Sequence, residues 1–495
     1  MSRLILLLIL TTAVSISYAK PPLSIQVQPA WNGLTKAGTT TTEIAITLLA
    51  DRNGEVEVTL PDHDPRLRVS VSLNALQPHT LWLAVRPQLG RVLRVNARGA
   101  DGEATGAVVR FDDVAEDASV VASTIHLSPQ PSSPGLQDMP MLLNPSISML
   151  PHTPGGYGGI NALILDGDSL AALDKRQLVS LQDYGADCGH IVYVGEAAAR
   201  YEDLAATAGC GRRFITRVTD GNAALTAVQE MQRAVATALP SANRLQTLLN
   251  NDVFAATWSA LLLFFIVYAI GLMLIARGSR KWAPLLLVPI VAALLGWTAW
   301  SNDRVNRRLI SWSEVDTHGH TMRYSALLQI AGNGKGEAST ELPASFGLLQ
   351  PQTEASMAEL DRHDAGTVAA VLRSRSFLLS QRSYFTQGNM RLEPSISITM
   401  TAHGPVIENR GATPSPPALL GWNDQRNPVP ALRPGERWHP PAHGTPWQVA
   451  HVEEQLLRMR TQDGTAAILL PHSLLPADGD VAHIEESGWL LIVSS

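Results

Sequence analysis

Of the 495 residues only two are cysteine and 5% are aromatic. No Cys-x-x-Cys pair occurs, so a thiol redox motif is missing. There is no Gly-x-Ser-x-Gly elbow, no His-Glu-x-x-His pair and no glycine loop of the kind that cradles phosphate. No Lys/Arg block stands outside the flanks of the long apolar runs. The formal net charge is -6 and the pI is near 6.2, so nucleic acid is not an expected partner. Charged residues make up 17% and hydrophobic residues 45%, which excludes a disordered chain and suits folded cores in about three domains.

What the chain does have is two long apolar runs, Trp258–Ala276 and Ala283–Trp300, neither with a charge, joined by basic Arg277-Gly278-Ser279-Arg280-Lys281. Each suffices for a helix across a roughly 30 Å hydrocarbon core. A helical hairpin anchored in a lipid bilayer is therefore expected, with Trp258, Trp282, Trp297 and Trp300 at its ends. Met1–Ala19 carries Arg3, the apolar stretch Leu4–Leu10 and small residues ending Ser17-Tyr18-Ala19, the layout of a secretory signal peptide. Together these predict a bacterial inner-membrane protein with both large parts in the periplasm.

The expected fold class is multidomain α+β: signal peptide 1–19, an immunoglobulin-like β-sandwich over 20–113, an α/β domain over 114–238, and a pre-membrane segment 239–257. Transmembrane helices over 258–276 and 283–300 enclose a cytoplasmic loop 277–282, and a β-rich part occupies 301–495. In the first part Ile44/Ile46/Leu48, Val56/Val58/Leu60, Leu67/Val69/Val71/Leu73 and Leu81/Leu83/Val85 alternate with polar residues. In the second, strands Ala162–Leu165, His190–Val194 and Arg213–Val218 alternate with helical stretches. Asp174 with Gln177 three residues on is a capping box for the first helix. In the last part Ile310–Val315 and Thr321–Ile330 flank Asp316-Thr317-His318-Gly319-His320 as a hairpin. Cys188 and Cys210 precede two strands expected to be parallel neighbours, so their level starts predict a disulfide.

Two sets of residues are candidate metal ligands. Asp166-Gly167-Asp168-Ser169 follows a strand at the carboxyl edge of an open sheet, where paired carboxylates hold Mg²⁺ for phosphoryl transfer. It resembles the Asp-x-Asp motif of haloacid-dehalogenase phosphatases, but Leu170 replaces that family's Thr or Val and no later lysine with an acidic pair follows. The competing reading is a strand-to-helix turn in which Asp and Gly serve geometry. His318 and His320, with His439 and His443, are a second metal candidate, against the reading of polar turn residues. Tyr157 stands in a glycine loop, Gly155–Gly159, near the expected sheet edge.

The run Ala162-Leu163-Ile164-Leu165-Asp166, then Leu173-Asp174-x-x-Gln177-Leu178-x-x-Leu181, then Tyr184-Gly185 and Gly189-His190-Ile191-Val192-Tyr193-Val194-Gly195 resembles the core of class I glutamine-amidotransferase-like domains. The resemblance spans about a quarter of the chain and implies a parallel α/β fold. It does not bring the catalytic apparatus, because Cys188 precedes a strand instead of following one and no His-x-Glu comes later in the domain. The whole arrangement resembles membrane-anchored bacterial envelope proteins, some of which accompany MoxR-type ATPases. The expected function is a non-enzymatic inner-membrane protein whose periplasmic domains bind or scaffold envelope protein partners, without cofactor. The alternative is a divergent hydrolase or Mg-dependent phosphotransferase centred on Asp166 and Asp168. Trp422 and Trp438 hint at glycan binding by the β parts, or at core packing.

Overall fold

Alternation of period two governs the described structure. Ile44, Ile46 and Leu48 are fully buried and alternate with half-buried Ala45, Thr47 and Leu49, and Val56, Val58 and Leu60 repeat the pattern on the facing sheet. In the computed structural model the described residues are 22–36, 41–87, 92–115, 119–127, 140–196, 199–206, 214–231, 239–248, 266, 306–317, 320–332, 337–342, 346, 348–352, 358–363, 370–375, 380–441, 444–445, 447, 452–461, 465–475 and 484–494.

Strands Leu23–Pro29, Thr42–Ala50 and His79–Val85 form one antiparallel sheet. Facing it is a seven-stranded sheet that begins with Arg66–Leu73 paired to Gly54–Leu60, followed by Val92–Gly99 and Ala104–Arg110. On its other side Arg66–Leu73 pairs in parallel with Ala358–His363, nearly three hundred residues later, and Ala370–Arg375 and Glu337–Leu342 complete the sheet. The first and last parts of the chain thus share one sheet. They also share one continuous hydrophobic core, which runs from Ile44 and Leu67 to Tyr324, Leu360 and Ile468.

The C-terminal part contributes a second large sheet of eight strands. Asn306–Asp316 pairs antiparallel with Thr321–Gly332 and parallel with Ile484–Val493. Packed against both β assemblies is a five-stranded parallel sheet in the order Met141–Leu143, Val120–Ser123, Ala162–Asp166, His190–Val194, Ile215–Val218. Its helix Lys175–Ala186 opens with the expected capping box: Asp174 Oδ1 accepts from the Gln177 N–H at 2.8 Å, and Gln177 Oε1 accepts from the Asp174 N–H at 3.2 Å.

Several expectations need correction. The transmembrane helices at 258–276 and 283–300, like the loop at 277–282, lie outside the described residues, of which Ile266 alone falls there. Among the described residues no helix is long and apolar enough to cross a membrane, and strands dominate over helices. The two-helix membrane hairpin in the fold class, the lipid bilayer as partner and the inner-membrane location are therefore withdrawn. The pre-membrane segment instead begins with the short helix Ala242–Leu248, whose Leu245 is buried against Trp312 and Leu457 of the C-terminal sheet assembly. The signal peptide at 1–19 also lies outside the described residues. So does Cys210, and the Cys188–Cys210 disulfide is accordingly cut back. Cys188 is the one described cysteine and is not a free thiol, but no pairing between the two is described.

The parallel sheet docks on the sandwich through a buried carboxylate. Glu43, 3% exposed on strand Thr42–Ala50, accepts the backbone N–H of His152 at 3.0 Å and of Thr153 at 2.5 Å. Charge-assisted bonds of this kind offset the cost of burying the acid. The His152 ring stacks on Trp82 at 3.6 Å and 9°, and its Nε2 lies 3.1 Å from Asp174 Oδ2. Directly after, Pro154–Gly159 lies flat against the sandwich, with the Trp31 indole N–H donating to Gly156 O at 2.6 Å. A Cβ at Gly158 would stand 2.5 Å from the Thr41 carbonyl oxygen, a backbone atom that cannot swing away. Gly158→Ala is expected to lower the unfolding free energy by about 1–3 kcal/mol. Gly54→Ala, where nothing lies within 4 Å, should change it by less than about 0.5 kcal/mol, both read by chemical denaturation.

Candidate functional site

Where the three assemblies meet they leave a cleft of about 730 Å³. The sandwich supplies Thr41, Trp82 and Ala84; the C-terminal sheets supply Phe346, Gln350 and the run Gln387–Asn389. The α/β part supplies the glycine loop with Tyr157, Asn161 just before strand Ala162–Asp166, and the segment Asp183–His190 that leads into strand His190–Val194. The cleft therefore lies at the amino edge of the parallel sheet, opposite the carboxyl edge where open α/β sheets usually bind ligands.

The floor is set by how one helix ends. Helix Lys175–Ala186 stops at Asp187, and Cys188 takes φ 65, which turns the chain sharply into Gly189. A Cβ at Gly189 would fall 2.4 Å from the Tyr184 ring, so glycine is required for the close approach. Asp183 and Asp187 are one turn apart at the helix's carboxyl end, where like charges repel and the helix dipole favours cations. Desolvation pushes the Asp183 carboxyl up to about 6, partly opposed by Arg391 and reinforced by Asp187. Asp187 is crowded by protein yet open to the cleft, and desolvation also raises its pKa, against the pull of Arg323. Burial lowers the pKa of His190.

Arg323 ties this floor to the C-terminal sheet. Its guanidinium donates to Cys188 Sγ at 2.9 Å and to Glu314 Oε2 at 3.1 Å, and Glu314 Oε1 accepts from Arg460 Nη2 at 2.6 Å and from the Trp312 indole N–H at 3.0 Å. All of these groups are buried or nearly so. Asn389 adds a second tie, its Nδ2 donating to the Asp183 carbonyl at 2.9 Å.

Four polar atoms on cleft residues have no hydrogen-bond partner among the described residues: Thr153 Oγ1, Tyr157 OH, His190 Nδ1 and Asn389 Oδ1. Tyr157 is 1% exposed, T-shaped to Trp31 and stacked on Tyr184 at 4.7 Å. Burial drives the pKa of both tyrosines upward, so both stay neutral phenols.

The other candidates lie elsewhere. Asp166 is the N-cap of helix Gly167–Ala172, its Oδ1 accepting from the Ser169 N–H at 2.9 Å, while Asp168 sits in that helix's first turn. Both are at the sheet's opposite edge from the cleft. Thr124 Oγ1 donates to Ser169 Oγ at 2.8 Å, so the turn is knit by its own side chains. His320 begins the return of the hairpin, whereas His318 and His443 lie outside the described residues. No group of three or more His, Cys, Asp or Glu side chains gathers in metal-ligating geometry among the described residues. Trp422 and Trp438 are half-buried and pack against the main core. The Asp183/Asp187 pair escaped the sequence reading, although two acids four residues apart at a glycine-rich helix end signal a strained site.

No family model matches the chain, and no curated protein matches it in sequence. Among solved structures, yeast LTA4 hydrolase in complex with bestatin is similar over 22% of this chain and 19% of its own, at 8% identity and a TM-score of 0.15, which carries no argument about fold or activity.

Because the carboxyl of Asp183 titrates near 6 in the folded chain and near 3.8 when free, the folded state favours its neutral form. That contribution is complete below about pH 4 and is lost as the pH rises through about 6. Asp183→Asn, which keeps the neutral shape, is expected to be more stable than wild type by roughly 1–2 kcal/mol at pH 8. The difference should vanish below about pH 4, as read by denaturation at both pH values.

Proposed function

We propose that the chain is a non-enzymatic binding protein whose recognition site is the cleft between its three assemblies. The observation that carries this reading is the cleft itself, about 730 Å³ and lined by residues of all three assemblies, with Asp187 and Gln387 exposed on its wall. A cavity of this size falls within the roughly 300–1,000 Å³ of small-ligand sites, and its carboxyl and amide groups beside Trp82 and Tyr184 suit a hydrogen-bonding ligand. Each of the three assemblies contributes a wall, so an occupant would hold them together, as a scaffold requires.

Supporting it, the opposite sheet edge has its functional-looking residues engaged in structure. Asp166 caps a helix, and its neighbour Ser169 is bonded to Thr124. The α/β part is proposed as a non-catalytic relative of class I glutamine-amidotransferase-like domains, since Cys188 precedes a strand, is not a free thiol and accepts from Arg323 at its sulfur.

Gln387, an exposed residue on the cleft wall, gives the test. In a thermal-shift screen of small polar compounds, ligands that raise the melting temperature of wild type are expected to act equally on an Asp166→Asn, Asp168→Asn double variant and to lose their effect on Gln387→Trp. The ligand should be recovered chemically unchanged. Recovery of a cleaved or phosphoryl-transferred product, abolished in the Asp166→Asn, Asp168→Asn variant, would overturn the reading in favour of a hydrolase or phosphotransferase.

A further inference from the structure

We infer that His63 is an acid-sensitive clasp between the two sheets of the sandwich: neutral, it pins the end of strand His79–Val85 to the turn after strand Gly54–Leu60, and in acid it lets go. The turn runs through Asp62-His63-Asp64-Pro65 into strand Arg66–Leu73 of the seven-stranded sheet, whereas His79–Val85 belongs to the three-stranded sheet that faces it. His63 lies between them, 2% exposed, its own N–H donating to the Leu60 carbonyl at 3.2 Å. Its Nδ1 is 2.7 Å from the Pro65 carbonyl oxygen, and its Nε2 is 3.3 Å from the backbone nitrogen of Arg86, the residue after the strand.

The two partners fix the ring's proton count. A backbone carbonyl can only accept and a backbone N–H can only donate, so Nδ1 carries the proton and Nε2 offers its lone pair to the Arg86 amide. Neutral imidazole is the form that satisfies both. A second proton would go to Nε2, setting N–H against N–H and breaking the bond from Arg86. Burial adds to the penalty, since a ring this enclosed cannot hydrate a positive charge.

Nearby charge does not rescue the cation. Asp62 and Asp64 flank the ring in sequence, with Arg66 next along the chain, Arg86 across from it and Arg94 on the strand Val92–Gly99. Arg94 takes up Asp62: its guanidinium donates to that carboxylate at 2.6 and 2.8 Å and its backbone N–H at 3.1 Å, and these bonds hold the acid below the usual carboxylate range. Among the described residues of this region two carboxylates thus stand against three guanidiniums, which leaves no surplus negative charge to favour an imidazolium. Arg86 Nη1 in turn donates to Oε1 of Gln350 on the cleft wall at 3.4 Å, so the residue that the clasp holds by its backbone reaches the cleft with its side chain.

A histidine held neutral in the folded chain, but free to charge near its ordinary value of about 6.5 when unfolded, contributes stability that is complete above that pH and is lost as the pH falls below it. The test is chemical denaturation of the full chain and of His63→Gln at about pH 7.5 and about pH 5.5, since titrations elsewhere, Asp183 included, occur in both and cancel. Lowering the pH should raise the unfolding equilibrium constant of wild type about tenfold more than that of His63→Gln, the factor for one proton taken up on unfolding. His63→Asn, which keeps a donor for the Pro65 carbonyl, stands in if His63→Gln does not fold. In wild type, hydrogen exchange at the Arg86 N–H, corrected for its intrinsic rate, should quicken by a similar factor in acid, a measurement that needs no variant. Equal pH dependence in wild type and variant, or the same protection of the Arg86 amide at both pH values, would overturn the clasp.

Discussion

The parallel pairing of strand Arg66–Leu73 with Ala358–His363 is the constraint on which the molecule's architecture rests. It makes the opening and closing portions of the chain one sheet, and the sheet's inner face joins one core that includes Val69, Leu360 and Leu372. Around the seam the Arg68 guanidinium lies 3.3 Å from Glu359 and 3.8 Å from Asp361, a partly exposed cluster that aids register more than stability. With the two β assemblies fused, the parallel sheet has a fixed cradle to dock into. The Glu43 carboxylate, the Arg323 guanidinium and the Asn389 amide then fasten it at three points.

The cleft is what remains when these fastenings are made, and its chemistry follows from them. Asp183 and Asp187 sit at the wrong end of a helix dipole because the helix terminates there, and it terminates there because Cys188 must turn with positive φ to deliver His190 to its strand. Desolvation raises the pKa of both acids, so their ionised forms cost folding stability above about pH 6. A surface of amides and of carboxyls with raised pKa values results, bounded by rings that are themselves locked by stacking.

Much of the local structure was legible in the residues. The alternating patterns of Ile44 to Val85 place their apolar members inside, the Asp174/Gln177 capping box forms, and strands Ala162–Asp166, His190–Val194 and Ile215–Val218 are parallel neighbours. What the pattern could not show is partnership across distance. Strand periodicity says which face of Arg66–Leu73 is buried, but nothing in it says that the neighbour on one edge lies near residue 360. The site was hidden for the same reason. Each wall comes from a different third of the chain, and Asp183, Asn389 and Trp82 carry no shared spacing. The eye was drawn to Asp166 and Asp168 because carboxyl-edge acids are the familiar location of chemistry, whereas here Asp166 caps a helix. The charge-free runs at 258–276 and 283–300 invited a membrane reading, and the described helices give it no support.

The long-range seam has a temporal consequence. When the first β strands leave the ribosome, Arg66–Leu73 has Gly54–Leu60 on one side and nothing on the other until Ala358–His363 has been made. At roughly 5–20 residues per second, that open edge persists for about 15–60 s, far longer than a hairpin needs to form. An unpaired strand bearing Leu67, Val69 and Val71 is a template for any other extended segment nearby. Arg66 and Arg68 stand on its opposite face; Arg68 lies 3.7 Å from Glu57 on the strand already made, and Glu359 and Asp361 join it only when the proper partner arrives.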